Sequence, residues 1–211
     1  MKFIKNNKSS KIILLIVAII GICLIALGII SSISPNKNKN KDKAKVEFNF
    51  KTEYEAYNGK EDILGRKYID IKIPSKNKIK KADIDEILEI FTEKKDAVIY
   101  FGYSACTYCR TAAEILVETA NNTKIDKILY LDTSDKSENY NKLLEIFIDE
   151  FKENNKIYSP LVLFVRDGNV ISYHKGTLFS QDDPYIKLDS SQREGLSEIY
   201  KNGIEDVLNK Q

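Results

Sequence analysis

The chain has 211 residues, 43 % of them hydrophobic, which is enough for one folded domain with additional segments. Its net charge of +2 is unevenly distributed. Residues 1–45 contain nine lysines and one aspartate and carry +8, which leaves −6 for residues 46–211. An acidic folded part argues against nucleic-acid binding, which requires a basic patch on the folded surface. We therefore predict no nucleic-acid partner.

The N-terminal region predicts a membrane anchor. Ile12 to Ile30 is a run of 19 uncharged residues, which as a helix would span about 28 Å, close to the thickness of the bilayer core. A signal peptide is the alternative, but the run is longer than the usual apolar region of one. In addition, Pro35 follows the best small-residue site and disfavours cleavage. We predict a basic cytoplasmic tail at residues 1–11 and an uncleaved transmembrane signal anchor at residues 12–33.

The segment after the anchor reads as a tether. Residues 34–45 alternate asparagine and lysine, cannot bury a core, and predict a solvated linker. Both flanks of residues 12–33 are basic, so the positive-inside rule does not decide the orientation. A short tail before a single anchor favours a domain outside the cytoplasm, where disulfides persist. We expect a single-pass protein of the cell membrane, held through residues 12–33, with an extracytoplasmic domain.

The first part of the folded region carries three patterns. Residues 46–65 form an aromatic N-terminal extension, for which a strand and a segment laid over the domain both stay open. Alternating isoleucines predict a half-buried strand at residues 68–73. Asp83 and Glu86 have capping-box spacing and predict the start of a helix. The β-branched and aromatic run from Val98 to Phe101 then predicts a buried strand.

The remaining elements alternate between strand and helix. A strand is predicted at residues 128–132 and an amphipathic helix at residues 143–151. An apolar run, a turn and a second strand predict an antiparallel hairpin from residue 158 to residue 173. Ser191 and Glu194 have the spacing of a capping box, so we expect a long C-terminal helix from there.

Two cysteines at the end of the central strand carry the functional signal. Cys106 falls at the N-terminus of the next helix, where unpaired N–H groups and the positive end of the helix dipole favour a thiolate. Arg110 adds a cation one turn on, and the Thr107 hydroxyl could donate a hydrogen bond to the thiolate, although a hydroxyl at such a position is commonly that of a solvent-facing turn residue. Cys109 follows three residues later on the same face, in reach of a mixed disulfide formed by Cys106. The spacing predicts an attacking Cys106 and a resolving Cys109.

Two other interpretations of the pair stay open. A zinc site would need further ligands, and only Cys23 and His174 are other cysteine or histidine residues, so carboxylates or a second chain would have to contribute. A non-catalytic accessory protein that holds a secreted client could carry the cysteines as an inert pair, although their place between strand and helix argues against it. We predict no metal and no organic cofactor, because the dithiol itself carries two electrons.

The order of elements resembles the thioredoxin fold over roughly residues 66–209. The resemblance is strongest at Phe101, at the cysteine pair and where Ser159 and Pro160 open a strand. It implies an α/β domain at residues 66–211, with a central mixed sheet flanked by helices, after the transmembrane helix. It also implies a cis Ser159-Pro160 bond beside the cysteines and a Ser159 backbone that pairs with extended substrate. The implied partners are protein or peptide thiols and disulfides, and a redox partner.

A narrower resemblance lies in the residues around the motif. Residues 100–110 are similar to thioredoxin-like proteins grouped with the bacteriocin transport accessory proteins of Gram-positive bacteria. This similarity implies a thiol-disulfide oxidoreductase that makes, breaks or guards disulfides of exported peptides or proteins.

The motif departs from thioredoxins at several positions. Ala105 stands where they have tryptophan, and Tyr100 stands where they have a buried carboxylate. The dipeptide Thr107-Tyr108 matches neither the pair of thioredoxins nor those of strong oxidants, so the direction of electron flow stays open. Thr107, Tyr108 and Arg110 are therefore auxiliary site residues in this prediction.

Overall fold

The computed structural model describes residues 47–134, 140–147 and 149–209. The predicted tail at residues 1–11, the anchor at residues 12–33 and the linker at residues 34–45 lie outside these ranges and stay predictions. Among the described residues, no helix combines the length and the apolar character needed to cross a membrane.

A mixed five-stranded sheet forms the centre of the domain. The strands of the domain are β1 (Ile79–Lys81), β2 (Ala97–Gly102), β3 (Ile128–Asp132), β4 (Lys152–Glu153), β5 (Lys156–Ile157), β6 (Leu161–Arg166) and β7 (Asn169–Lys175). The order in the central sheet is β1-β3-β2-β6-β7; β1, β3 and β2 run parallel, whereas β6 and β7 run antiparallel to their neighbours. A separate two-stranded hairpin consists of β4 and β5.

Helices cover both faces of this sheet. They are α1 (Phe50–Glu55), α2 (Ile84–Thr92), α3 (Thr107–Asn121), α4 (Tyr140–Ile146) and α5 (Ser190–Leu208), with a 3-10 turn at Asp149–Phe151. The capping box that the sequence predicts at Asp83 and Glu86 is confirmed. The helix predicted at residues 143–151 begins and ends earlier than expected: α4 covers Tyr140–Ile146, and the end of the predicted range forms the 3-10 turn at Asp149–Phe151.

The C-terminal helix begins two residues before the predicted capping box. Asp189, not Ser191, is the N-cap: its carboxylate accepts from the Gln192 N–H at 2.8 Å, and the Gln192 side chain accepts from the Asp189 N–H at 3.0 Å. Ser191 and Glu194 are already helical residues. The prediction was wrong here because aspartate with glutamine satisfies the first turn as well as serine with glutamate does.

Each face of the sheet has its own hydrophobic cluster. Side chains alternate along β2, so that Val98 and Tyr100 point to one cluster and Ile99 and Phe101 to the other. We call the first side, covered by α1, α3 and α5, the tyrosine face after Tyr54, Tyr100, Tyr130 and Tyr200. We call the second side, covered by α2 and α4, the leucine face after Leu129, Leu131, Leu161 and Leu163.

The strand predicted at residues 68–73 is absent from this described part of the chain. The three alternating isoleucines are buried as predicted, but their backbone pairs with side chains, not with a strand. The N–H groups of Ile71, Lys72 and Ile73 donate to Asn58, Glu114 and Glu55 at 3.1, 2.8 and 2.7 Å. The alternation of isoleucines correctly predicts which side chains are buried. It does not predict the hydrogen-bond partners of the backbone N–H groups, which lie 13 to 42 residues away in sequence.

The N-terminal extension contains a helix and no strand in its described residues. Asn49 caps α1 by accepting from the Thr52 N–H at 3.0 Å, and Phe50 and Tyr54 of this helix are buried in the tyrosine face. Of the two alternatives left open by the sequence, the segment laid over the domain is the one observed. Helix α1 thus covers part of the tyrosine face. The fold as a whole is α/β, with a mixed central sheet flanked by helices.

Candidate redox site

The two cysteines lie where β2 passes into α3. Cys106 is the N-cap of α3, and its sulfur accepts from the Cys109 N–H at 3.2 Å. The two residues form a disulfide, with 5.0 Å between their Cα atoms. Cys106 is half-buried, whereas Cys109 is completely buried. The predicted pair is therefore present, with Cys106 partly exposed and Cys109 buried.

The position of Cys106 favours a thiolate once the disulfide is reduced. A helix N-terminus has backbone N–H groups without carbonyl partners, and here the sulfur occupies the place of the usual capping oxygen. Thr107 and Tyr108 are the first two residues of the helix and are both half-buried. The hydrogen bond that the structure gives the Cys106 sulfur comes from the Cys109 backbone.

Ser159 and Pro160 lie against this end of the helix. Their peptide bond is cis, as the resemblance implied. The Ser159 carbonyl oxygen lies 3.9 Å from the Cys106 sulfur, which carries no proton in the disulfide and therefore only contacts it. The Ser159 hydroxyl is hydrogen-bonded to that of Thr133 at 2.7 Å, so a residue at the end of β3 holds this loop in place. Thr133 was not anticipated from the sequence.

Arg110 has a different environment from the one expected. Its guanidinium is fully buried and donates to the carbonyls of Tyr54 at 2.6 Å and Ile69 at 3.0 Å, and to the Asn58 side chain at 2.6 Å. A further bond reaches the Ser104 carbonyl at 3.3 Å. Burial lowers the pKa of this guanidinium, although nearby acidic groups oppose the shift. Arg110 thus ties the N-terminal segment to the loop that carries Cys106.

A pair of buried tyrosines lies behind Cys109. The Tyr100 hydroxyl donates to the Cys109 carbonyl at 3.0 Å, and the Tyr54 hydroxyl donates to the Tyr100 oxygen at 3.1 Å. Burial holds the pKa values of both phenols well above their ordinary value, so both remain protonated. The sequence does not reveal Tyr54 as a site residue, because it leaves the fold of that segment open.

A third tyrosine of this face leads to a carboxylate. Tyr130 stacks on Tyr100, with 5.7 Å between ring centroids, and donates to Glu53 at 2.7 Å. Burial raises the pKa of Glu53, although the Tyr130 hydrogen bond works against that shift. Tyr130 therefore has its own hydrogen-bond partner and shares only packing with Tyr100.

Two features of the described residues bear on the alternative functions, a zinc site and a protein that only holds its client. In residues 47–134, 140–147 and 149–209, no three His, Cys, Asp or Glu side chains are grouped so as to hold a metal ion. An apolar pocket of about 510 Å³ opens on the leucine face and is lined in part by Phe91, Phe147 and Tyr173. Neither cysteine lines it. The cysteines lie instead at the end of α3, beside the Ser159 loop.

The strand order and the place of the cysteines define a class of protein. Three parallel strands continued by an antiparallel pair, with a Cys-X-X-Cys pair between β2 and α3, form a thioredoxin-like fold. This assignment rests on the topology of the chain itself.

Comparisons with solved structures return thioredoxins. A thioredoxin from Trypanosoma brucei brucei is 13 % identical over 66 % of this chain and all of its own, with a TM-score of 0.41. Thioredoxins O1 and O2 from Arabidopsis thaliana, both oxidised, are 17 % and 15 % identical over 58 % of this chain and 97 % and 94 % of theirs, with TM-scores of 0.38 and 0.37. No family model and no curated protein matches the chain. Similarity at this level is no basis for inferring an activity.

Proposed function

We propose that the chain is a thiol-disulfide oxidoreductase whose redox centre is the Cys106–Cys109 pair. The observation that carries the proposal is a disulfide between a half-buried helix N-cap and a buried cysteine one turn later. Cys106, the partly exposed cysteine, is the one that a partner would reach, and the buried Cys109 is held where it can displace that partner. Ser159 and Pro160 adjoin the Cys106 sulfur and are the proposed substrate platform.

The chemistry needs only thiols and disulfides. The Cys106 thiolate attacks a client disulfide and forms a mixed disulfide, while the first client sulfur leaves as a thiolate. Cys109, as a thiolate, then attacks the Cys106 sulfur, closes the Cys106–Cys109 disulfide and releases the second client sulfur. Two electrons pass to the client, whose sulfurs take up the two protons of the dithiol. The same steps in reverse oxidise a client dithiol, and neither direction requires an organic cofactor or a metal.

The reduction potential of the pair tests the proposal and selects the direction. Equilibration of the full chain against glutathione or thioredoxin measures it. A value near about −270 mV would identify a reductant, and a value between about −120 and −180 mV an oxidant or isomerase. Failure of the two cysteines to form a disulfide under oxidising conditions would contradict the proposal.

A substitution separates this function from client holding. Cys106→Ser should abolish disulfide exchange and leave the fold intact, because serine is also a good N-cap. An accessory protein that only holds its client would keep binding in this variant. Retention of exchange activity by Cys106→Ser would exclude Cys106 as the attacking residue.

We propose that the domain acts on the outer side of the cytoplasmic membrane. The uncharged run within residues 12–33 supports a single-pass anchor, and a disulfide-active pair is suited to the oxidising side of the membrane. The proposed clients are accordingly exported proteins or peptides. A protease applied to intact cells should degrade residues 46–211, and their complete protection would contradict this placement.

A further inference from the structure

The buried cysteine presents a physical problem that the proposed function must solve. Cys109 has to leave as a thiolate when the disulfide opens and to attack as one when it closes. Its sulfur is fully buried on the tyrosine face, and burial in apolar surroundings disfavours a thiolate. Under the proposed function, on which this inference rests, a donor close to the sulfur is therefore needed.

Tyr100 is placed to supply that donor. Gly102 has no side chain, and the space where its Cβ would stand is 2.6 Å from the Tyr100 hydroxyl and 3.3 Å from the Cys109 sulfur. The phenol oxygen and the sulfur therefore border the same small gap, which only glycine leaves open, and lie no more than about 6 Å apart, with no hydrogen bond between them in the disulfide form. In the disulfide form the hydroxyl donates to the Cys109 carbonyl at 3.0 Å, on the same residue.

The bond to the carbonyl is one that Tyr100 can give up. Cys109 lies inside α3, where its carbonyl is in position to accept from the N–H four residues on, and a carbonyl has two lone pairs. Loss of the Tyr100 bond would leave no unpaired acceptor at this site. The hydroxyl can therefore turn to the sulfur with little loss in the helix.

Tyr54 fixes the direction of this hydroxyl. The Cys109 carbonyl can only accept, so the single proton of Tyr100 points to Cys109. In the contact between the two phenols, at 3.1 Å, Tyr54 must then be the donor. Donation into the Tyr100 oxygen strengthens the bond that Tyr100 makes in turn. The two hydroxyls form a short chain that runs from α1 to Cys109.

The other titratable groups around Tyr100 do not take this role. Tyr130 of β3 is bonded to Glu53, and the hydroxyl of Tyr200 on α5 is buried with no hydrogen-bond partner in the described structure. Arg110, the next residue after Cys109, directs its guanidinium to Tyr54 and to three other partners, none of them a sulfur. Cys106, at the head of α3, is itself a partner in the reaction.

We propose that the Tyr100 hydroxyl, oriented by Tyr54, donates to the Cys109 sulfur when the disulfide opens and so stabilises the Cys109 thiolate. Tyr54 is a positioning residue in this arrangement, because it acts through Tyr100. Both phenols keep their protons, so Tyr100 acts as a donor and takes no proton from the thiol. The proton of the Cys109 thiol passes to the departing client sulfur or to solvent.

The test is the pKa of the Cys109 thiol in the full-length chain. Cys106→Ser leaves Cys109 as the single titrating thiol of the domain, and Cys23→Ser in every variant removes the remaining cysteine. The chemical shift of the Cys109 Cβ, followed by NMR against pH, reports the titration. Tyr100→Phe should raise the pKa by about one pH unit, which corresponds to about tenfold less thiolate at neutral pH.

Two further variants make the result specific. Tyr54→Phe should raise the pKa by a smaller amount, because Tyr100 then keeps its proton but loses its orientation. Tyr200→Phe is the matched control: it removes a buried hydroxyl of the same face that has no hydrogen-bond partner in the described structure, and it should leave the pKa of Cys109 unchanged. An unchanged pKa in Tyr100→Phe, or an equal rise in Tyr200→Phe, overturns the proposal. If Tyr100→Phe does not fold, an unchanged pKa in Tyr54→Phe overturns it.

A failure of the proposed function gives a different result. That function fails if the chain with both cysteines does not form the Cys106–Cys109 disulfide or has no exchange activity. If the chain forms and exchanges the disulfide, but the pKa of Cys109 is the same with and without the Tyr100 hydroxyl, only the role of Tyr100 is contradicted.

Discussion

The two faces of the central sheet bury different chemistry. The tyrosine face contains four buried phenols and the Arg110 guanidinium, and its hydrogen bonds converge on Cys109 and on the N-terminal segment. The leucine face is packed mainly with leucine, isoleucine and phenylalanine. Both faces use the same strands, whose side chains alternate between them.

The groups that are hydrogen-bonded towards the redox site thus lie on one face of the sheet, whereas the other face contributes packing. A buried polar group must find a partner, so its place is specified by geometry, whereas a leucine needs only volume and contact. We therefore expect substitutions of the tyrosine-face groups that are hydrogen-bonded towards Cys109, Tyr100 and Tyr54, to change both stability and the behaviour of the cysteines. Substitutions on the leucine face should change stability alone. The following predictions test that division.

Removal of the buried guanidinium should have the largest effect. Arg110→Met leaves the carbonyls of Tyr54 and Ile69 without their donor, and we expect a loss of about 3–5 kcal/mol in the free energy of unfolding. Urea denaturation measures it. Arg193→Met is the comparison variant: its guanidinium is about one-third exposed, and its pairs with the buried Glu114 and the exposed Glu118 should contribute about 1–2 kcal/mol, less than the bonds of Arg110. Similar losses in both variants would contradict a structural role specific to Arg110.

The leucine face offers the complementary test. Leu163→Ala should lower the free energy of unfolding by about 3 kcal/mol, because the side chain is fully buried and leaves a cavity. The reduction potential of the Cys106–Cys109 pair should stay unchanged in this variant. A shift of more than about 30 mV would show that the leucine face also acts on the cysteines and would break the comparison.

Two glycines of α5 test how closely the tyrosine face is packed. A Cβ at Gly203 would lie 2.4 Å from the ring of Phe164, so Gly203→Ala should cost about 1–3 kcal/mol in the free energy of unfolding. At Gly195 the nearest atom is 3.9 Å away, in Leu178, and alanine should instead stabilise the helix by about 0.5–1 kcal/mol. Thermal melting of the two variants would show opposite shifts. Stabilisation by Gly203→Ala would mean that α5 lies further from the sheet than the structure shows.

Patterns local in sequence predicted much of the fold. The strand at residues 128–132 has the predicted bounds, and the placement of Cys106 at a helix start was correct, because both follow from neighbouring residues. The prediction of a strand at residues 68–73 was wrong, because hydrophobic alternation indicates burial but not the hydrogen-bond partners of the backbone. The same limit explains the missed Tyr54, which meets Tyr100 across 46 residues of sequence and from a helix that composition did not reveal.

The smallest expected effect concerns pH and the single histidine of the chain. His174 packs on Tyr200 of the tyrosine face, and its ring contacts the Thr177 carbonyl. Burial lowers its pKa below the ordinary value of 6.5, although the Thr177 contact opposes this. Between the folded and the unfolded pKa values the unfolded chain binds more protons, so stability falls as the pH drops below about 6.5.

The histidine contribution can be isolated by difference. His174→Gln removes the titration, so the gap in unfolding free energy between wild type and variant should change between about pH 7 and about pH 5, to the disadvantage of wild type at the lower pH. Carboxylates that titrate in the same range are present in both proteins and cancel. A gap that stays constant would place the imidazole in water in the folded state, and the tyrosine face would then be open at its β7 edge.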